Sequence, residues 1–588
     1  MSNLEVQEFI YKTKYLQQGE TFREGMTRIA GGLQDNDEHF RIVREILLDR
    51  RFLAAGRIQV AIGASRSTTP YNCFVSGTIE DSLDDIGDKV KESLQTMRLG
   101  GGIGYDFSTL RPSGERIRSL DSSSCGPAGD ANRTRGFMDL FDAGCSVISS
   151  AGHRRGAQMA VLRVDHPDIR HFVRSKRTPG RLTNFNISVG ATDEFMEAVE
   201  TDNTFDLRFE GRVYETIRAR NLWDEIMRST WDYAEPGVLF LDTINRKNNL
   251  HYIERIAATN PCGEQPLPPY GACLLGSFNL TKYIVPVFKI IRVTEEGLGP
   301  EEQDGWEFDL NQFFDDIPPI VRAMDNVIDR AIYPLPEQEK EAKTKRRMGL
   351  GITGLANTLE ILGFRYGSPD ALKFTEQVLR TLRDTAYEAS IELAKEKGSF
   401  PAFDPIRYVY NTNSFISTLP RDIQDGIANH GIRNSHLLSI APTGTISLAA
   451  GNVSSGIEPP YTTGAYKRNI YDEDGNVRTF DMLDYAEEHY GVKGVTSDEC
   501  SVDDHVAILN LASRFVDSSV SKTCNVGPDV TFSEFKEVYM KAYKGGASGI
   551  TTFRPAEYGG KREGIMKKAE PEVGAACVID DQGNRSCD

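Results

Sequence analysis

The chain has 588 residues, 39% of them hydrophobic, and a formal net charge of −17 at pH 7. That charge excludes a protein that wraps nucleic acid or lies on an anionic membrane, because both need a basic surface. A small phosphate ligand needs only one local pocket and is not excluded.

No run approaches the roughly 18 apolar residues of a membrane span. The start, MSNLEVQEFIYK, lacks a basic segment followed by an apolar one, so no secretory signal is expected and the chain reads as cytoplasmic. Nine cysteines, at 73, 125, 145, 262, 273, 500, 524, 577 and 587, are odd in number and widely scattered. That pattern suits catalytic or redox thiols better than a disulfide scaffold. With no CxxC pair and no His clustered with Cys, no metal site is expected. The length fits about four domains, or one large α/β barrel with appended pieces.

Residues 1–50 read as two or three short amphipathic helices, and 51–57 as a connecting loop. Residues 71–75 read as a buried strand. Asp81 is a plausible N-cap for a helix running to about Leu99. The glycine run at 100–104 is either a tight turn or a phosphate cradle. A short strand at 116–120, a polar loop at 121–135, a helix at 136–150 and a basic, glycine-flanked loop at 152–159 follow. From Asn184 onward, strands at 185–189 and 237–241 alternate with helices at 193–200, 220–234, 316–332 and 370–397, as in a parallel sheet or barrel. Residues 294–305 read as a surface excursion, 549–554 as a late strand, and the last 25 residues as a disordered tail.

Two stretches carry chemistry. Thr259-Asn260-Pro261-Cys262-Gly263-Glu264-Gln265-Pro266-Leu267 sets an amide, a thiol and a carboxylate at alternate positions. Pro261, Gly263 and Pro266 oppose a regular strand, so it reads as a tight loop carrying three polar groups inward. By itself Cys262 fits a buried structural thiol as well as a redox or radical site. Ser439-Ile440-Ala441-Pro442-Thr443-Gly444-Thr445-Ile446-Ser447 runs from an apolar strand into a helix start. Its free N–H groups and hydroxyls fit a capped helix or an anion site.

Together with Asn72-Cys73, Leu275-Gly276-Ser277-Phe278-Asn279-Leu280 and Ser455-Gly456-Ile457-Glu458-Pro459, these stretches resemble the catalytic subunit of ribonucleotide reductase. The motifs occur in that family's order, and the likeness extends over about residues 50–565. It is most like the dimeric, adenosylcobalamin-dependent class. The resemblance implies a ten-stranded α/β barrel (51–565) with the radical-cysteine loop inside, a small helical N-terminal region (1–50), an allosteric specificity region at about 80–175, and a flexible tail (566–588). It implies that Cys262 becomes a thiyl radical that takes the 3′ hydrogen of a ribonucleotide. Glu264 is then the base on the 3′-hydroxyl, Asn260 bonds nearby sugar oxygens, and Cys73 with Cys273 is the reducing pair that becomes a disulfide. Such a bond requires their Cα atoms to come within about 7 Å.

Substrate contacts are implied at Asn72, Gly276 and Ser277, and at the phosphate loop Thr443, Gly444, Thr445, Ile446 and Ser447. A dNTP or ATP effector falls to Asp81, Ser82, Leu83 and Arg118, with Arg154, Arg155 and Gln158 carrying its message to the substrate base. Cys577 and Cys587 resemble tail thiols that exchange with the internal disulfide, fed by a thioredoxin- or glutaredoxin-like reductant. The helices at 81–99 and 136–150 imply a homodimer, and the family's N-terminal ATP-binding domain is expected to be missing.

Radical generation needs a cofactor. The late strand reads Gly549-Ile550-Thr551-Thr552-Phe553-Arg554 with no adjacent tyrosine pair, and Tyr543 and Tyr558 are not adjacent to each other. Adenosylcobalamin is therefore favoured. The alternatives are a separate metal-containing radical subunit, or a non-catalytic nucleotide-binding regulator.

Overall fold

The structure, a computed structural model, describes residues 3–65, 68–117, 122–130, 135–148, 157–178, 180–290, 293–294, 297–298, 301–471, 476–555, 578–579 and 585–586. Three helices lead: α1 (Asn3–Ile10), α2 (Phe22–Leu33) and α3 (Asp37–Leu48). The Thr21 hydroxyl accepts the Glu24 N–H and Glu24 accepts the Thr21 N–H, a reciprocal cap that starts α2. A π-helical turn, Tyr11–Tyr15, extends α1 and is closed by the Leu16 N–H donating to the Tyr11 carbonyl at 2.9 Å. This region packs directly on later chain: the Asn3 amide donates to the carbonyls of Gly451 (3.2 Å) and Leu483 (2.8 Å).

The strands follow in order as β1 (Phe52–Ala54), β2 (Cys73–Val75), β3 (Gly102–Asp106), β4 (Gln158–Arg163) and β5 (Phe185–Ala191). Between them lie α4 (Gly56–Ala61), α5 (Leu83–Arg98) and α6 (Phe137–Val147). A hairpin, β6–β7 (Thr204–Phe209 and Arg212–Arg218), precedes β8 (Gly237–Phe240), and a second, β9–β10 (Ala258–Thr259 and Pro266–Leu267), carries the thiol loop. Then come β11 (Ala272–Cys273), β12 (Leu275–Asn279), the ribbon β13–β16 between Ile284 and Phe308, β17 (Gly349–Thr353), the hairpin β18–β19 (Tyr466–Tyr471 and Val477–Met482), β20 (Thr523–Asn525) and β21 (Gly549–Phe553).

The main sheet has eight strands in the order β11-β2-β3-β4-β5-β8-β21-β20. From β2 through β8 neighbours run parallel. Those strands are buried nearly throughout, as parallel sheets require when helices cover them. A second sheet, β1-β12-β17, has three strands. Single parallel bridges, Leu350 to Leu438 and Ile440 to Val520, carry its ladder onward. The barrel expectation is met in part: among the described residues the ladders form an eight-stranded sheet, a three-stranded sheet and six two-stranded ones. The two sheets meet at Leu274, where the chain leaves β2 on one side and enters β1 and β17 on the other. No described helix is long and apolar enough to cross a membrane.

Periodicity placed several helices within a residue or two, including Asp193–Glu200, Ala219–Tyr233 and Pro369–Lys397, but Val502–Phe515 and Phe532–Lys544 were not expected. The helix expected at 316–332 starts earlier, at Leu310, because Asp309 caps it through the Gln312 N–H. Pro318 and Pro319 lie inside it, so they did not mark its start. Asp81 is not the cap of α5. Ser82 is, accepting the Asp85 N–H at 3.2 Å, while Asp81 pairs with Arg111.

Behind the 441–456 segment lies a buried acid pair. Asn357, on the helix Leu355–Ile361, donates to Glu360 (3.1 Å) and to both carboxylate oxygens of Asp484 (3.0 and 2.9 Å), and accepts the Ser454 N–H. Burial, and then the Asp484 charge, push the Glu360 carboxyl up to about 8. A raised folded pKa means the folded chain holds a proton at neutral pH that the unfolded chain has released. The stabilisation is therefore present at low pH and lost as pH rises through about 8. Glu360→Gln, which keeps the shape without a titrating proton, should flatten the fall in melting temperature between pH 6 and 9. Identical slopes for variant and wild type would contradict this reading of the pair.

Candidate active site

The thiol loop is the tip of the β9–β10 hairpin. Asn260 closes it: its carboxamide oxygen accepts the Gln265 N–H (2.9 Å) and the Thr259 hydroxyl (3.2 Å), and its own N–H reaches the Gln265 carbonyl. Gly263 turns the tip at φ +82°, a value side-chain-bearing residues rarely adopt. From outside, the Asn186 amide holds the Pro261 carbonyl (3.0 Å), and the Ser439 hydroxyl and Ser519 N–H hold the Glu264 carbonyl (2.8 and 3.0 Å). Asn260 is fully buried and its amide nitrogen lies 4.0 Å from the Cys273 sulfur. Its carboxamide oxygen thus orients the loop, and Asn260 does not line the cavity described below.

Two glycines of the run at 100–104, Gly102 and Gly104, are explained by this loop. A Cβ on Gly104 would sit 1.8 Å from the Thr259 carbonyl oxygen, and one on Gly102 would meet Pro261 Cγ at 3.1 Å and Cys73 Sγ at 3.2 Å. Strand β3 has glycines there because the thiol loop and Cys73 lie directly on it.

Cys73 and Cys273 face each other across the antiparallel pair β2–β11, register partners despite their separation in sequence. Directly opposed residues in such a pair have Cα atoms about 4.5–5.5 Å apart, inside the range a disulfide accepts. Both are buried, whereas Cys262 is partly exposed.

A cavity of about 290 Å³ gathers most of the expected site. Cys73, Cys262 and Glu264 line it, with Asn72, Gly276, Ser277 and the loop from Thr443 to Ile446. Asn72 Oδ1 and Ser277 Oγ are buried with no hydrogen-bond partner among the described residues, which a polar ligand would supply. The loop differs in detail from the expected helix start. Ile446–Ala449 is a single turn, so its dipole is small and the donors are the loop N–H groups themselves. Thr443 sits at φ +50° with its hydroxyl used internally, accepting the Gly456 N–H (2.7 Å) and bonding Thr353 Oγ1 (2.9 Å). Ser447 does not line the cavity; its hydroxyl bonds the Gly444 carbonyl and Ser455. Gly444 and Thr445 are the exposed members.

Cys262 also lines a second cavity, of about 320 Å³, bounded by β8, β20 and β21. Ser519, Ser521 and Thr551 present hydroxyls there, and the space beside the thiol loop is open, for a Cβ on Gly263 would meet nothing within 4 Å. Lys522, fully buried, also lines it and pairs with Glu458, which accepts the Thr523 N–H as well (2.7 Å). The 455–459 motif is thereby tied to β20.

A family model described as ribonucleotide reductase, barrel domain, matches residues 71–553. The chain belongs to that family. A vitamin B12-dependent ribonucleoside-diphosphate reductase of Mycobacterium tuberculosis is 35% identical over 529 residues, 85% of this chain and 69% of its own length. A protein of the same description from Thermoplasma acidophilum is 34% identical over 514 residues, 82% of this chain and 61% of its own. The ribonucleoside-diphosphate reductase large subunit of Vaccinia virus is 26% identical over 490 residues, 76% of this chain and 59% of its own.

Other expected residues of this reductase fall away from the cavity. Asp81, Ser82 and Leu83 lie at the start of α5, with Leu83 exposed. Gln158 is fully buried in β4, accepting the Tyr105 hydroxyl (2.9 Å) and donating to the Phe141 carbonyl, so it joins α6 to the sheet and is not a loop contact. Arg118, Arg154, Arg155, Cys577 and Cys587 lie outside the described residues. Sequence reasoning missed Lys14, Tyr15 and Arg57, which line the cavity with Cys262. It also missed Thr353, whose hydroxyl bridges Thr443 and the Ser454 carbonyl.

Thr353→Val keeps the volume and removes that bridge, at a cost of about 1–2 kcal/mol. Amide hydrogen exchange at Gly456 and Ser447 should accelerate in the variant. Unchanged protection there would show that the loop holds its strained turn without Thr353.

Proposed function

We propose that this chain reduces ribonucleotides, ribonucleoside diphosphates among them, to 2′-deoxyribonucleotides by thiyl-radical chemistry at Cys262. One observation carries the reading: Cys262 lines the cavity that holds Cys73 and Glu264 and also lines a second cavity. A residue so placed can receive a radical from one side and act on a sugar on the other. Cys262 takes the 3′ hydrogen and Glu264 accepts the proton of the 3′-hydroxyl. The 2′-hydroxyl leaves as water, and the balance is met when Cys73 and Cys273 each give up a hydrogen and join as a disulfide. Asn72 and Ser277 bond the ribose, and the N–H groups of Gly444, Thr445 and Ile446 hold phosphate.

The second cavity fits the deoxyadenosyl arm of adenosylcobalamin as radical source: it reaches Cys262, is open beside Gly263, and at about 320 Å³ has room for a nucleoside. When bound, that cofactor supplies a hydrogen-abstracting radical. The names of the Mycobacterium tuberculosis and Thermoplasma acidophilum relatives support this choice, as do Thr551, Thr552 and Phe553 at the cavity wall where a tyrosine relay would have to stand. On this reading no metal-containing partner subunit is needed. Ser519, Ser521 and Lys522 would hold the cofactor's polar edge.

The reading extends to a ten-stranded barrel, in which residues 437–440 and 519–521 count as strands, and to a homodimer. Leu83, Leu140 and Val147 are exposed on α5 and α6, apolar surface that a second copy would cover. A dNTP effector bound near Asp81, Ser82 and Arg118 selects the base, Cys577 and Cys587 re-reduce the internal disulfide from a thioredoxin-like donor, and the enzyme works in the cytoplasm.

The purified chain with adenosylcobalamin and dithiothreitol should form deoxyribonucleotide without any partner. Cys262→Ala should abolish turnover while substrate still binds. Product that appears only on adding a metal-containing subunit would overturn the cobalamin assignment, and residual turnover in the variant the radical one.

A further inference from the structure

The substrate cavity has a cationic end that no motif announced. Lys14 and Tyr15, from the π-helical turn after α1, line the cavity beside Arg57 of α4 and the 443–446 loop. Lys14 and Arg57 are the only cationic side chains among the residues that line it. In a chain of net charge −17 the overall field repels a polyphosphate. Two local cations at the phosphate loop reverse that sign where it matters.

The fold builds this end deliberately. The turn is seated on α4, where a Cβ on Gly56 would lie 2.8 Å from the Tyr15 ring, so glycine there lets the turn approach. Arg57 is buried, and its guanidinium lies where a Cβ on Gly100 would come within 2.4 Å. Gly100, at φ +97°, therefore makes room for a charge at the cavity wall. At its other end α1 is anchored to the segment just after the phosphate loop, through the Asn3 amide on the Gly451 carbonyl. The five-residue π-helical turn that presents Lys14 is itself an unusual geometry, commonest at functional sites. Lys14 and Arg57 both lie outside residues 71–553, the part the family model matches.

We propose that Lys14, backed by Arg57, binds the terminal phosphate of the substrate beyond the 443–446 loop, so that the N-terminal helical region completes the substrate site. This rests on the reading of the cavity as the ribonucleotide site. Lysine acts here as a mobile point charge, and the buried arginine supplies a fixed one. The loop N–H groups then hold the inner phosphate, and the cations set the preference for more than one phosphate.

Lys14 is only partly buried, so Lys14→Met and Lys14→Arg are both expected to fold. Two readouts separate this inference from the function it rests on. Inorganic pyrophosphate binding to the full chain, measured by calorimetry without cofactor, should weaken about tenfold in Lys14→Met, equivalent to about 1.4 kcal/mol, and recover in Lys14→Arg. In the cobalamin-loaded enzyme, KM for a ribonucleoside diphosphate should rise by a similar factor in Lys14→Met, with kcat changed far less. Wild-type pyrophosphate affinity in Lys14→Met, or no pyrophosphate binding by the wild type, overturns the inference. Lys14-dependent pyrophosphate binding in a wild type that reduces no nucleotide leaves the phosphate site standing and overturns the proposed reaction instead.

Discussion

Thr259 presses its carbonyl against Gly104 so closely that no side chain fits between them. That approach fixes the height of the β9–β10 hairpin over the main sheet, and the rest of the site depends on it. With the hairpin pinned, Asn260 can close the tip through the Gln265 N–H. Cys262 then projects into the wall shared by two cavities. Cys73 reaches the first of these cavities because Gly102, on the same strand β3, also lacks a side chain. A side chain at Gly104 would force a backbone shift in the loop, whereas one at Gly102 would press on Pro261 and Cys73, which would have to give by a few tenths of an ångström.

The second constraint is the seam between the sheets. Cys273 ends the strand that pairs with β2, and two residues later the chain pairs with β1 and β17. Both thiols lie in the eight-stranded sheet, with Cys273 at its very edge beside the seam. Strand pairing holds both backbones, and of the two thiols Cys73 lines the cavity while Cys273 lies buried behind it. The phosphate loop depends on a separate set of supports. Thr443 is held in a left-handed turn by Thr353 and Gly456, and through Ser454 this connects to Asn357 and the acid pair behind it. The thiols thus rest mainly on the eight-stranded sheet and the phosphate loop on β17 and the helix after it, with Ser439, bonded to both Leu350 of β17 and the Glu264 carbonyl, joining the two halves.

Much of this was legible from residue order. Amphipathic spacing located the long helices, and the motif residues Cys73, Cys262, Glu264, Ser277 and Gly444 converge on one cavity as the family resemblance implied. What was not legible depends on three-dimensional approach. Nothing local says that Lys14 reaches the cavity or that Thr353 bonds Thr443, because both contacts bridge long stretches of sequence. The roles of Thr443 and Asn260 shifted for the same reason: a polar side chain in a motif can serve the backbone instead of the ligand, and only its partners decide. The glycine run at 100–104 looked like a turn or a phosphate cradle. Gly100 does make a turn, at φ +97°, while Gly102 and Gly104 thin strand β3 to admit another segment, a role composition alone cannot separate from the others.

The central claim is that Cys262 acts on substrate while Cys73 and Cys273 pay the electrons. Single turnover without external reductant tests it most directly: pre-reduced enzyme carrying Cys577→Ser and Cys587→Ser, so that the tail cannot exchange with the internal disulfide, is loaded with adenosylcobalamin and given one ribonucleotide, and its thiols are mapped by mass spectrometry. The account predicts a Cys73–Cys273 disulfide in amount equal to the deoxyribonucleotide formed, with Cys262 recovered as a thiol. Product formed with Cys73 and Cys273 still reduced, or a disulfide joining Cys262 to either of them in equal yield, would contradict it.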